Sequence, residues 1–197
     1  MTAAAARTPN PTVLAAAGLL GLAAAVLIRV RIAGPAGPAS VPAGLSFGLA
    51  LMLLAAVLGE RPSAWRGSGG AAAVGLAGAA VLCAPVIVRH LAEPGYTAPA
   101  GLAVTWAAGV TLVAIAEEAL LRGAVYRLIV ARHGTVPAIA VTAVAFALLH
   151  APVYGWAVVP LDLAVGVWLG VLRHLTGSVV APAVAHTVAD LAGWWLR

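Results

Sequence analysis

Residues 101–130 read GLAVTWAAGVTLVAIAEEALLRGAVYRLIV. Leu102 to Ala116 is an uncharged, mostly apolar run; Glu117, Glu118 and Arg122 then arrive together, and Leu128-Ile129-Val130 follow. A hydrocarbon core of about 30 Å is crossed by roughly 20 apolar residues wound as helix. This stretch is therefore long enough to span a bilayer with a charged cluster inside the span. Working outward from it, the rest of the protein follows the same rule. Of 197 residues, 63% are hydrophobic and only 9% charged, and the mean hydropathy is +1.05. A soluble domain carries about a quarter charged residues, so too few polar side chains are present here to cover a water-facing surface. Disorder, a coiled coil and a nucleic-acid-binding module are excluded at the same step.

The predicted fold is all-α, a polytopic transmembrane bundle of about seven spans, with six to eight as the range. The spans fall near 12–32, 43–59, 71–90, 101–130, 136–152, 157–174 and 178–196. Their breaks are loop-forming: Gly34-Pro35-Ala36-Gly37-Pro38, Glu60-Arg61-Pro62 through Gly69-Gly70, Glu93-Pro94-Gly95, His133-Gly134, Ala151-Pro152 and Thr176-Gly177-Ser178. The first apolar run is followed by Arg29 and Arg31 where a signal peptide would place small residues, so it is expected to be a retained span. One structural domain is expected, with residues 1–100 supplying about three N-terminal helices and residues 101–197 holding the charged motifs. The single cysteine, Cys83, excludes an internal disulfide.

All 11 cations are Arg, and most are read as span-end residues that set orientation. Arg7, Arg61, Arg66, Arg127, Arg132 and Arg173 fall on one side, and Arg29, Arg31, Arg89 and Arg197 on the other. This favours a cytoplasmic N-terminus in a multi-pass cell-membrane protein. Asp162 and His90, His133 and His174 are read as interfacial, and Trp194 and Trp195 as part of an aromatic belt. Gly166 and Gly170 form a small-xxx-small pair suited to close helix packing.

Ionisable groups at membrane depth cost roughly 2.5–3.5 kcal/mol each on insertion scales and mark functional sites when retained. Three clusters qualify. In Glu117-Glu118-Ala-Leu-Leu-Arg122, Glu118 and Arg122 share a helix face and can pair, while Glu117 is turned about 100° away and stays free for chemistry. In Phe146-Ala-Leu-Leu-His150 the ring can wall the imidazole one turn on. In His186-Thr-Val-Ala-Asp190 the carboxylate can fix the tautomer and orientation of the ring. Together they offer a general base, an acid or oxyanion donor, and charge partners around one cavity.

EExxxR, FxxxH and HxxxD motifs, in that order on the fourth, fifth and last helices, resemble the CPBP family. These are CAAX-protease, bacteriocin-processing and abortive-infection-type intramembrane proteins, related to the eukaryotic CAAX prenyl endopeptidases. Gly170-Val-Leu-Arg-His-Leu-Thr-Gly-Ser178 resembles the family's lead-in to its third motif, so the likeness covers residues 101–197, which would be the catalytic core. It implies a glutamate-dependent endopeptidase acting on a peptide or membrane-anchored protein in the bilayer. Glu117 would be the general base and His150 would help to activate water. His186 and Asp190 would orient or stabilise the oxyanion, and Glu118 and Arg122 would brace the first motif. The eukaryotic relatives have Asn where this protein has Asp190, and an ionised Asp would repel an oxyanion, so an orienting role toward His186 is favoured.

No cofactor, metal or nucleic-acid partner is expected. A zinc metalloprotease would use the same Glu and His side chains, but HExxH is absent and Glu117 and Glu118 do not readily point at one ion. Ser46, within Gly44-Leu-Ser-Phe-Gly48, offers a serine-protease alternative. A proton-relaying transporter is a further class, disfavoured because no inverted repeat is visible. A non-proteolytic bacteriocin-immunity or scaffolding role is the main alternative.

Overall fold

The computed structural model describes residues 10–66, 69–93 and 103–195. Among them are seven helices and three short 3₁₀ segments, and no strand. They are α1 (Pro11–Ala33), α2 (Val41–Val57), α3 (Gly69–Ala92), α4 (103–133), α5 (Thr135–Tyr154), α6 (Val159–Thr176) and α7 (Val180–Trp195). Arg7, Pro94-Gly95, Arg197 and the side chains of Trp194 and Trp195 lie outside the described residues. Five helices are long and apolar enough to cross a membrane: α1, α3, α4, α5 and α6. The apolar α2 has 17 residues and α7 has 16, about 25 Å of helix each. Both reach the core thickness only with flanking residues or local thinning of the bilayer. The protein is thus an all-α bundle with an inverted surface. Leu20, Leu27, Val57, Val88, Val104 and Leu175 are all more than half exposed, as lipid-facing side chains are.

The centre of the bundle is α4. It packs against α1, α2, α5, α6 and α7, while α3 lies outside along α7 and α6. Its middle, Ala119–Val125, widens into a π-helical turn in which every residue is buried. Such turns are rare and recur at functional sites. Gly166 and Gly170 set α6 against α5. A Cβ on Gly166 would come within 2.8 Å of the Ala143 Cα, and one on Gly170 within 3.0 Å of Ile139 Cγ2.

The two ends of the bundle differ. At one end Thr12 Oγ1 lies 3.0 Å from His133 Nε2. There too Arg127 donates to the carbonyls of Leu58 and Gly59 at 3.0 and 2.9 Å, and Val179 N–H donates to the Ala64 carbonyl at 2.8 Å. At the other end the start of α4 and the ends of α1, α5 and α7 surround a cavity.

Candidate active site

The first motif ends α4's regular part and enters its π-turn. Glu117, Glu118 and Arg122 are 1%, 0% and 0% exposed. Arg122 Nη1 donates to Glu118 Oε1 at 2.8 Å, the i, i+4 pair expected from the spacing, and Nη2 donates to the Gly166 carbonyl at 3.0 Å. The second bond depends on the bare Cα of Gly166, which lets α6 close on α5 beneath the guanidinium. The plane of Arg122 also lies over Phe146, 4.9 Å from its centroid. The Arg122 carbonyl, within the widened turn, accepts from Arg173 Nε at 2.9 Å. Glu118 is thus held on one oxygen, while Glu117 Oε1 is buried with no hydrogen-bond partner among the described residues.

His150 is fixed by its own helix. Its Nδ1 lies 2.9 Å from the Phe146 carbonyl. A carbonyl only accepts, so Nδ1 carries the proton and Nε2 of the neutral ring carries the lone pair. Phe146 walls one side, with ring centroids 4.7 Å apart, and Tyr154 stacks on the ring from one turn further on, at 5.7 Å.

His186, 4% exposed, stands edge-on to Phe146 at 5.2 Å, so the same ring separates and orients both histidines. Its Nδ1 makes a 3.0 Å hydrogen bond with Glu118 Oε1, the oxygen already held by Arg122. Its Nε2 lies 3.5 Å from Asp190 Oδ2 and 3.9 Å from Glu117 Oε2. The tight anchor of His186 is therefore Glu118, on another helix, and Asp190 flanks the opposite nitrogen. The i, i+4 spacing alone pointed only to Asp190.

Glu117, His150 and Asp190 line one cavity of about 250 Å³, together with Arg29 and Tyr154. Glu118, Arg122 and His186 form the buried layer behind Glu117. Spacing did not point to three of the neighbours. Asp162, read as interfacial, places Oδ2 3.8 Å from His150 Nδ1, and its side chain is 18% exposed. Tyr154 lies at the end of α5 against His150. Arg29, read as a span-end orientation residue, is 9% exposed and packs over Phe47 at 4.8 Å. It continues the buried stripe of α1 formed by Ala15, Gly18, Leu22 and Ala25, which the packing reveals and the apolar sequence of α1 does not. The Ser46 hydroxyl donates to the Pro42 and Ala43 carbonyls of its own helix. Among the described residues no three His, Cys, Asp or Glu side chains are grouped as ligands of one metal ion.

Residues 99–192 match the family model of the type II CAAX prenyl endopeptidases, Rce1-like. No curated protein and no solved structure gives a significant match. The matched segment carries all three motifs around the cavity, and α1 and α2, which also line it, precede that segment. Residues 99–192 are thus similar to the type II CAAX prenyl endopeptidases, a likeness consistent with a CPBP-type membrane protease.

Proposed function

We propose that the protein is a glutamate-dependent intramembrane endopeptidase that hydrolyses a peptide bond of a membrane-associated substrate, with Glu117 as its base. The observation that carries this reading is the pairing of a buried, half-unsatisfied Glu117 carboxylate with His150 on one cavity. Water held between Glu117 and the His150 Nε2 lone pair gives a proton to Glu117 as its oxygen attacks the scissile carbonyl. Charge then develops on the carbonyl oxygen. His186, protonated at both nitrogens, gives Nδ1–H to Glu118, and its Nε2–H, which faces Asp190 in the resting site, turns to that oxygen. Collapse of the intermediate breaks the C–N bond, and the proton on Glu117 passes to the leaving amine. Glu118 and Arg122 do no chemistry in this scheme; they hold His186 and the π-turn.

A general base contributes about 10²–10⁴-fold to rate. Reconstituted in liposomes and read by mass spectrometry of the cut ends, Glu117→Gln and His150→Ala should each lose at least about 10²-fold in kcat. Asp190→Asn, which keeps an acceptor for His186, should retain substantial activity. Near-wild-type cleavage by Glu117→Gln would remove the proposed base.

A further inference from the structure

Arg29 comes from α1, outside residues 99–192, yet it lines the cavity that holds Glu117, His150 and Asp190. It is the only cationic side chain among the described residues lining that space; the other lining charges are the two carboxyls. Arg122 lies nearby, but its terminal nitrogens are occupied by Glu118 and the Gly166 carbonyl. Arg29 differs. Phe47 supports its guanidinium from one face, Tyr154 shares a side-chain hydrogen bond with it, and no carboxylate among the described residues lies within ion-pair distance of it. A buried guanidinium without a carboxylate partner is costly, and its planar fork of five donors suits a carboxylate above other anions of peptide chemistry.

We infer that Arg29 is the specificity residue of the cavity and receives a substrate carboxylate, supplied by the C-terminus of a peptide or by an acidic residue near the scissile bond. The inference rests on the proteolytic reading above and names the substrate chemistry of that site. Without Arg29, a carboxylate entering beside Glu117 and Asp190 would meet their like charge with no cation lining the cavity to offset it. With it, the incoming anion is paired and the peptide is set in one register against Glu117.

The test uses the full-length protein in liposomes and one pool of apolar octapeptides made in three forms. One form has a free C-terminal carboxylate, one is amidated, and one is amidated with a single Glu stepped through the sequence. Hydrogen bonds to charged groups give an expected preference of about tenfold or more in kcat/KM for a carboxylate-bearing form, mainly through KM. The favoured form identifies the source of the carboxylate. Arg29→Gln should bring that ratio close to one by losing the carboxylate-bearing peptides, and Arg29→Lys, which keeps the charge without the fork, should fall between. The Lys variant also decides the matter if the Gln variant does not fold. A wild-type ratio near one, or a ratio unchanged in both variants, overturns the inference. Equilibrium binding of the same peptides to Glu117→Gln separates the two readings. If the wild type cuts nothing while Glu117→Gln binds the carboxylate forms in an Arg29-dependent way, the endopeptidase reading fails and the Arg29 site stands.

Discussion

At the scale of single residues, Glu118 is used twice. One of its oxygens serves both Arg122 and His186, so a salt bridge and a histidine anchor share one atom. All three side chains are buried, and removal of one partner of a buried pair typically costs about 3–5 kcal/mol because the other charge is stranded. Arg122→Met should therefore lower the thermal midpoint in detergent sharply, and a Glu118→Gln/Arg122→Met double variant should recover part of that loss. Additive losses would show that the pair is not coupled. The pair itself was legible in the sequence, because i, i+4 spacing on a helix is a local fact. The second use of Glu118 was not, because it depends on where α7 lies relative to α4. Asp162 illustrates the same limit: its 3.8 Å approach to His150 joins two helices through packing, and no spacing rule reaches across it.

At the scale of elements, the π-turn and the helix seams decide how well the motifs meet. Loop-forming residues marked seven helical segments to within a few positions. The widening of α4 left no mark, since Ala119–Val125 reads as an ordinary apolar stretch of helix. The Gly166 and Gly170 pair was legible as a packing signal, and the structure separates the two. Gly166 faces the Ala143 backbone, which cannot yield, whereas Gly170 faces the Ile139 side chain, which can. Overpacking costs about 1–3 kcal/mol or more where nothing can move. Gly166→Val should therefore cost both stability and cleavage, since it also displaces the carbonyl that holds Arg122, while Gly170→Ala should be mild. Equal effects of the two substitutions would contradict this assignment. On the far side of the π-turn, Glu60 in the α2–α3 connection presses against Gly123, where a Cβ would lie 2.5 Å from its carboxylate. Burial pushes the Glu60 carboxyl above its ordinary value of 4.5, although Arg127 and Arg173 pull it back. The folded protein thus binds this proton more tightly than the unfolded state does, and stability falls as pH rises above about 4.5 through the raised value. Glu60→Gln should flatten that fall in thermal midpoint between acid and neutral pH. A variant with the wild-type slope would show that Glu60 does not carry it.

At the scale of the whole molecule, the cavity is built from both halves of the sequence, and this was the least legible feature. The motifs in residues 101–197 announce themselves because charge is scarce there. By contrast α1 is apolar on every side, and an apolar membrane helix carries no amphipathic period to show which face turns inward. Only the packed bundle shows Arg29 on the buried stripe and Arg31 outside it. The same packing ties the site to one side of the membrane. The ends of α1, α5 and α7 and the starts of α2, α4 and α6 share the cavity end, opposite Thr12, His133 and the 58–65 segment. Arg61, Arg66, Arg127, Arg132 and Arg173 fall at that opposite end, and cations accumulate on the cytoplasmic side. The cavity should then open away from the cytoplasm. Single cysteines in a Cys83→Ala background would test this in intact cells of an expression host. Ala36→Cys, exposed beside the cavity mouth, should react with a membrane-impermeant thiol reagent, and Ser63→Cys, exposed at the opposite end, only after permeabilisation. The reverse pattern would turn the protein over in the membrane and place its substrates on the cytoplasmic side, with the internal geometry of the site unchanged.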